Sequence, residues 1–225
     1  MRVLVTRPQQ ASHSTAEKLR ALGHQPVLLP VTRPEHHPDD VLEGLRHPHA
    51  AIAITSAEAV RVLRSLDVRL QPYLNDPVFA VGGATASAAR AAGFKAVEAA
   101  EGTAASMITM FGDRLRRITA DSPLLYVAGH PRGPTFEDGL ARLGIPFTTI
   151  EGYWMKPLAV DEATISAALN EPPVDGVLLY SRATAAHFFD LTSTSRNMEV
   201  LHRTRILCLS PNVAEAVPAA LKARV

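Results

Sequence analysis

The feature that most constrains this chain is the alternation of short apolar runs with amphipathic segments along its whole length. The apolar runs are unbroken rather than alternating in polarity, which is typical of parallel strands buried on both faces of a sheet. Strands that alternate with helices predict an α/β fold with right-handed crossovers. The predicted strands are RVLVT, QPVLLPV, AIAIT, PVFAV, KAVEA, PLLYVAG, IPFTTIEGYW, DGVLLYS and RILCLS.

Helical segments are predicted between these runs. In STAEKLRALG, Ala16, Leu19 and Leu22 share one face, and Gly23 is placed to end the helix. The other predicted helices are AEAVRVLRSL, ATASAARAAG, AASMITMFGDRLRR, TFEDGLARLG, DEATISAALN and NVAEAVPAAL.

An internal echo predicts two similar α/β lobes. LRALGHQPV resembles LARLGIPFT, AIAITSAEAV resembles GVLLYSRATAA, and FAVGGATASAARAAG resembles LCLSPNVAEAVPAAL. Three weak matches in the same order indicate a repeated unit. The matches pair Gly23 with Gly144, Ser56 with Ser181, and Gly82 with Ser210, at offsets of 121, 125 and 128 residues.

Two segments are interpreted as linkers between the lobes. Residues 33–40, RPEHHPDD, are polar, proline-rich and without periodicity. Residues 151–163, EGYWMKPLAVDEA, carry a strand across Tyr153 and Trp154 that breaks at Pro157. Open α/β sheets bind ligands at the carboxyl ends of their strands, so a ligand cleft is expected between the lobes.

Composition excludes several classes of function. The chain has 225 residues, of which 47% are hydrophobic, and its formal net charge is +1. Such a balance gives no basic field for nucleic acid or a membrane surface. The single cysteine, Cys208, excludes an internal disulfide, and the N-terminal MRVLVTRP lacks the apolar region of a signal peptide. A soluble, cytoplasmic protein without nucleic-acid or membrane partners is therefore expected.

Familiar cofactor motifs do not occur in the sequence. VGGATA has only two adjacent glycines where a dinucleotide fingerprint needs three at fixed spacing, and no GxxxxGK[ST] loop occurs. This disfavours a Rossmann oxidoreductase. No nucleophile elbow or zinc-helix motif is found, and His36, His37, His47 and His49 are interpreted as solvated loop residues. No metal and no organic cofactor is predicted.

The turns that follow the predicted strands share a different chemistry. They read TRP, TSAEA, VGGAT, EGTAAS, GHPRG, YSRAT and LSPN. Small residues, hydroxyls and backbone N–H groups at helix N-termini suit carboxylate or phosphate ligands. The same Ser, Thr and Asn residues also fit plain helix capping, and both interpretations stay open. Arg7, His130, Arg132 and Arg182 lie at strand ends, where they either meet an anionic ligand or only solubilise the surface.

Taken in order, these turns resemble the uroporphyrinogen-III synthase family of tetrapyrrole biosynthesis. The matching stretches are VLVTRPQQ, AIAITSAEAVRVL, VFAVGGATASAARAAGF, EGTAASM, EGYWMKP and the YS turn at 180–181, and the likeness runs to about residue 217. The resemblance implies two flavodoxin-like or Rossmann-like lobes, residues 1–33 plus 157–225 and residues 36–153, joined by a two-stranded connection.

The resemblance also implies the reaction. Linear hydroxymethylbilane loses water and closes to uroporphyrinogen III, with its terminal pyrrole ring inverted through a spiro intermediate. The enzyme would be a monomeric lyase without metal or cofactor that serves haem, sirohaem or cobalamin synthesis. Transient handover of the substrate from hydroxymethylbilane synthase is a further expectation. The alternative is a non-catalytic bilobal protein that binds a tetrapyrrole or another polyanion.

Site residues follow from the same matching. Tyr153 matches a tyrosine linked to departure of the substrate hydroxyl, although a packing role is the alternative. Residues expected to bind the substrate are Arg7, Thr55, Ser56, Gly82, Gly83, Thr85, Thr103, Arg132, Ser181, Arg182, Ser210 and Asn212. The usual GPTTA turn of the family reads SPNVA here, so Asn212 can still donate but Val213 cannot. The last strand and helix of the family have no counterpart, which is expected to loosen the C-terminal lobe or lower activity.

Overall fold

The computed structural model describes residues 1–111 and 117–225. This described part contains ten strands and ten α-helices. The strands are β1 (Arg2–Val5), β2 (Gln25–Leu28), β3 (Thr32–His36), β4 (Ala51–Ile54), β5 (Val78–Ala80), β6 (Val97–Ala99), β7 (Leu124–His130), β8 (Phe147–Pro157), β9 (Gly176–Leu179) and β10 (Arg205–Cys208). The helices are α1 (Gln9–Ala21), α2 (Pro38–Arg46), α3 (Ala57–Ser65), α4 (Gly83–Ala91), α5 (Ala104–Met110), α6 (Thr135–Arg142), α7 (Glu162–Asn170), α8 (Arg182–Leu191), α9 (Ser195–Leu201) and α10 (Pro211–Ala214).

The predicted α/β class is confirmed, and each predicted strand run contains a strand. Helices α1, α3, α4, α6 and α7 lie within or overlap predicted segments, whereas α2, α8 and α9 were not among them. The helix predicted over 104–117 begins as α5, and residues 112–116 lie outside the described residues. The helix predicted over 212–221 is wrong beyond α10, because Pro218 disfavours helical geometry at the residue before it.

Residues 33–40, interpreted as a linker without periodicity, are regular in the structure, although the chain does pass between the two compact units described below after Arg33. This segment contains most of β3 and the start of α2. Proline is tolerated at both places for physical reasons: β3 is an edge strand, where a missing N–H costs little, and Pro38 occupies the first turn of α2, where the N–H has no intrahelical partner.

The chain forms two compact units. Unit 1 comprises residues 1–33 and 156–225, and unit 2 comprises residues 34–155. The chain passes from unit 1 to unit 2 within β3 and returns within β8.

Unit 1 contains a four-stranded sheet in the order β10-β9-β1-β2, as far as the described residues show. The pairs β1–β2, β1–β9 and β9–β10 are all parallel. One buried cluster joins Leu4 of β1 and Val177 of β9 to Ile165 and Phe188 of the covering helices. Parallel strands bring the ends of β1, β9 and β10 to one edge of this sheet.

Unit 2 contains a sheet in the order β3-β8-β7-β4-β5-β6, in which β8, β7, β4, β5 and β6 run parallel. Successive residues of β4 point to opposite faces. Ile52 and Ile54 pack in the cluster that includes α2, α3 and α4, whereas Ala51 and Ala53 pack in the cluster that includes α5 and α6. Both faces are therefore covered, as the unbroken apolar runs predict.

A β-bulge interrupts the pairing of β7 with β8. Ala128 is opposite Glu151 but Gly129 is opposite Tyr153, so Gly152 is the extra residue. A Cβ on Gly152 would lie 2.9 Å from Cγ2 of Val41 and 3.0 Å from Cγ1 of Val127. Gly152 and Tyr153 therefore face the same cluster, and the bulge is what turns the Tyr153 side chain into it.

Gly152→Ala should lower the stability of unit 2 by about 1–3 kcal/mol, because buried valine methyl groups would have to move. The free energy of unfolding in urea can be followed by the emission of Trp154, the single tryptophan of the chain. Gly133→Ala is the matched control, since a Cβ on Gly133 meets nothing within 4 Å. Equal stability of the two variants would contradict this role of Gly152.

Candidate functional site

The carboxyl edge of the unit 2 sheet gathers most of the predicted site residues of that unit. Thr55 and Ser56 follow β4, Gly82 and Gly83 follow β5, and Thr103 comes after β6. Since these strands are parallel neighbours, their ends lie at the same edge. Helices α3 and α4 begin directly at this edge, so their positive N-terminal ends point to it.

Two of the predicted hydroxyl side chains cap helices. Ser56 Oγ accepts a hydrogen bond of 3.3 Å from the N–H of Ala59 in α3. Thr103 Oγ1 accepts a hydrogen bond of 3.0 Å from the N–H of Ser106. In turn, Ser106 Oγ accepts one of 3.2 Å from the N–H of Thr103. The capping interpretation left open by the sequence therefore holds for both side chains.

The two adjacent glycines at the start of α4 differ in their surroundings. A Cβ on Gly82 would lie 3.1 Å from the Cα of Gly102, so the turns after β5 and β6 touch through their backbones. Gly102 has a φ of +98° and donates its N–H to the carbonyl oxygen of Val81 at 2.7 Å. A Cβ on Gly83 meets nothing within 4 Å. Gly82 is needed for close packing, whereas Gly83 borders open space.

Tyr153 reaches this edge from β8. Its hydroxyl lies 2.7 Å from Ser56 Oγ, and the residue is 9% exposed. Gly129 on β7 makes room for the ring, because a Cβ there would lie 2.3 Å from Tyr153 Cζ. A second pair forms beside it, in which the hydroxyl of Tyr126 lies 2.9 Å from Thr55 Oγ1.

Burial raises the pKa of the Tyr153 phenol above its ordinary value. The hydrogen bond with Ser56 opposes this effect, and the negative charge of Glu58 adds to it. Burial likewise raises the pKa of Tyr126. Both phenols therefore keep their protons at neutral pH and can serve as hydrogen-bond donors.

Arg132 is held between two carboxylates. Its guanidinium contacts Glu137 twice at 3.1 Å and Glu151 at 2.6 Å. The hydrogen bond to Glu137 is the main reason that the pKa of Arg132 is raised. Burial would raise the pKa of Glu137, but Arg132 and Thr149 together lower it, and Arg132 also lowers the pKa of Glu151. The charge of Arg132 is thus compensated within unit 2.

The predicted residues of unit 1 lie at the carboxyl edge of its own sheet. Arg7 stacks over the ring of Tyr180 at 4.2 Å and donates to Thr15 Oγ1 at 3.2 Å. Ser181 caps α8 by accepting from the N–H of Thr184 at 3.1 Å. Arg182 forms an exposed ion pair with Glu215 at 2.9 Å. Ser210 precedes α10, and Asn212 lies within it.

Some residues that shape the site were missed by sequence reasoning. Gly129 and Tyr126 lie within an apolar run of β7. The sequence of that run predicts neither the contact of Gly129 with Tyr153 nor the pairing of Tyr126 with Thr55. Glu58 accepts from Arg61 and lies 2.7 Å from His36 Nε2, so His36 ends strand β3 beside a carboxylate and is not a solvated loop residue. These contacts join residues distant in sequence, which no local pattern encodes.

Neither a metal-binding cluster nor a membrane-spanning helix is found in the described part of the chain. Within residues 1–111 and 117–225, no three His, Cys, Asp or Glu residues cluster so as to hold a metal ion. Among the helices of the same residues, none has the length and hydropathy of a transmembrane span.

Fold and site together define an α/β protein of two parallel-sheet units whose polar turns gather at the carboxyl ends of the strands. A family model described as uroporphyrinogen-III synthase HemD matches residues 13–222, and the chain therefore belongs to the uroporphyrinogen-III synthase family. Curated protein sequences give no significant match. The function of the family is that of a lyase of tetrapyrrole biosynthesis that converts hydroxymethylbilane to uroporphyrinogen III, and nothing favours the non-catalytic alternative.

Solved structures agree in fold. The uroporphyrinogen-III synthetase of Helicobacter pylori 26695 is similar at a TM-score of 0.63 and 17% identity, covering 97% of this chain and 91% of that one. A mutant uroporphyrinogen III synthase of the extremely thermophilic bacterium Thermus thermophilus is similar at a TM-score of 0.60 and 20% identity, covering 96% and 87%.

The Arg132 network should make unit 2 sensitive to acid. Because the folded pKa values of Glu137 and Glu151 are lowered, their contribution is present above the ordinary glutamate pKa of 4.5 and is lost as pH falls through the lowered values. Arg132→Met should therefore lose less stability than wild type as pH falls from about 5 to about 3 in urea unfolding. Arg182→Met is the control, since its ion pair is exposed. The same acid sensitivity in wild type and Arg132→Met would refute the idea.

Proposed function

We propose that the carboxyl edge of the unit 2 sheet binds carboxylate arms of hydroxymethylbilane and of the product, and that Tyr153 assists departure of the substrate hydroxyl. The observation that most supports this is the 2.7 Å contact between the Tyr153 hydroxyl and Ser56 Oγ at the start of α3. It puts a proton-bearing phenol beside helix N-termini that favour negative charge.

Backbone N–H groups are assigned as the main donors to the carboxylates. The hydroxyls of Ser56 and Thr103 are engaged in capping, and the Thr85 side chain is 6% exposed. Gly83 opens α4 with room beside it, so a carboxylate can approach the backbone there. Thr55, Ser56, Gly82, Thr85 and Thr103 then shape the surface around the bound arm.

The role of Tyr153 is hydrogen-bond assistance rather than full proton transfer. A phenol with a raised pKa is a weak acid, but it donates a hydrogen bond well to an oxygen that is leaving as water. Linear hydroxymethylbilane closes unaided to the non-inverted isomer, so the enzyme must chiefly hold the chain in the geometry that inverts the terminal ring. Catalysis is therefore assigned mostly to orientation.

The unit 1 residues Arg7, Ser181, Arg182, Ser210 and Asn212 are assigned to carboxylate binding at the carboxyl edge of the unit 1 sheet. The eight carboxylates of a uroporphyrinogen need many donors, which fits a site of dispersed turns. We also propose that the chain acts as a monomer without metal or organic cofactor. Direct handover from hydroxymethylbilane synthase would protect the linear substrate from unaided closure.

An isomer assay tests the catalytic assignment. Hydroxymethylbilane generated in situ should give isomer III with wild type, and Tyr153→Phe should lower the rate by about 10- to 100-fold. Tyr126→Phe is the matched control, because it removes a second buried phenol that pairs with Thr55. Equal rates for the two variants would remove Tyr153 from the reaction. Isomer I alone from folded wild type would overturn the enzymatic function.

The assignment of Gly83 gives a separate test by calorimetry. Gly83→Leu should weaken binding of uroporphyrinogen III without changing the free energy of unfolding, because its side chain would enter open space where the carboxylate is expected. Gly82→Ala should instead lower stability, since its Cβ would meet the Gly102 backbone at 3.1 Å. Unchanged affinity of Gly83→Leu would reject the carboxylate site.

A further inference from the structure

Three rings form a row across neighbouring strands of unit 2. The ring of Trp154 on β8 lies 5.0 Å from the ring of His37, which follows β3, and 5.6 Å from the ring of His130 at the end of β7. His130 is opposite Trp154 in the β7–β8 register, and His37 donates its N–H to the carbonyl oxygen of Gly152 at 2.8 Å. We call His37, Trp154 and His130 the ring row.

The centre of the ring row is fixed by polar contacts. The indole Nε1 of Trp154 donates to Glu151 Oε2 at 2.9 Å, and Glu151 is itself held by Arg132 at 2.6 Å and lies 3.2 Å from His130 Nδ1. Both imidazoles are inclined by 48° to the indole. The polar atom of the indole is thus satisfied within unit 2, and the ring needs no ligand to hold its orientation.

The indole nevertheless keeps 38% of its surface exposed, which makes Trp154 one of the exposed large hydrophobic residues of the chain. A fixed, partly exposed indole offers a large contact area at a small entropic cost, and for this reason tryptophan is frequent among residues that dominate binding. The ring row lies at the carboxyl edge of the sheet, one residue from Tyr153 along β8.

We propose that the ring row is a subsite for a pyrrole ring of the tetrapyrrole, which packs against the exposed part of the Trp154 indole. This inference rests on the proposed function. Backbone N–H groups and hydroxyls can donate hydrogen bonds to the carboxylate arms of the ligand. Its flat, electron-rich pyrrole rings pack best against an aromatic surface. Aromatic pairs attract when their centroids lie within about 4.5–7 Å, and the ring row extends such a surface.

The pyrrole bound here is not the ring that reacts at Tyr153. Tyr153 packs into the cluster with α2, α3 and α4, and the side chains of successive strand residues leave opposite faces of the sheet. The ring row therefore holds a second point of the ligand while the hydroxymethyl end is at Tyr153. Two fixed points restrict how the linear chain folds, which is the property that selects between the inverted and non-inverted products.

Binding of uroporphyrinogen III to wild type, Trp154→Leu and Trp154→Phe tests the subsite. Titration calorimetry is done on the full chain under anaerobic, reducing conditions. Trp154→Leu should bind about five- to tenfold more weakly, and Trp154→Phe should recover most of the affinity because it keeps a ring. Leu143→Ala, which removes an exposed apolar side chain of the same unit, should bind as wild type.

Tryptophan emission gives an independent measurement in the unmodified chain, because Trp154 is its single tryptophan. The reduced macrocycle is used because the conjugated porphyrin would quench the emission from a distance. We expect the emission of Trp154 to change on binding and to saturate with the affinity measured by calorimetry. If Trp154→Leu fails to fold, this measurement alone tests whether the ligand contacts Trp154. If Trp154→Leu binds with wild-type affinity, or if the emission is unchanged at saturation, the ring row is not a pyrrole subsite. The proposed function would stand in either case. Absence of binding by wild type would overturn both.

Discussion

The pairing of β7 with β8 is the interaction on which the candidate site depends. β8 has eleven residues and contains the point where the chain leaves unit 2. Its register with β7 determines which of its side chains reach the carboxyl edge of the sheet. The bulge at Gly152 changes which face each later side chain takes. Tyr153 turns into the cluster behind α3 and meets Ser56, while Trp154 meets His130. In a regular strand that kept Gly152 in the pairing, the phenol would lie on the face of Glu151, away from the start of α3.

Glycine makes this arrangement possible at two positions of opposite kind. The Tyr153 ring fills the space that a side chain on Gly129 would take, because a Cβ there would lie 2.3 Å from Tyr153 Cζ. Gly83 borders space that nothing in its surroundings fills within 4 Å. One glycine therefore serves the packing of a side chain, and the other leaves the backbone approachable.

The sequence predicted the architecture because both faces of a parallel sheet must be buried. That constraint produces unbroken apolar runs, which can be recognised in the sequence without knowledge of the tertiary contacts. The prediction from sequence failed at residues 33–40. Two prolines suggested a loop there, although an edge strand and a helix start both tolerate proline. The resemblance gave Tyr153, but the sequence did not reveal Gly129, Tyr126 or the partners of Arg132. Those contacts depend on strand register and on a bulge, and neither leaves a periodic signal.

The electrostatics of unit 2 fit a site that orients a polyanion rather than one that captures it by charge. A field of unpaired arginines would bind eight carboxylates tightly in any fold of the linear chain, and so would not distinguish the inverting geometry. Arg132 is instead neutralised by Glu137 and Glu151. The donors proposed to contact the substrate at the sheet edge are hydroxyls, backbone N–H groups and helix ends. Such donors act only over short distances and at defined angles. Selection between two closures of one substrate therefore requires many weak, directional contacts, and a buried phenol whose raised pKa keeps its proton is a donor of that kind.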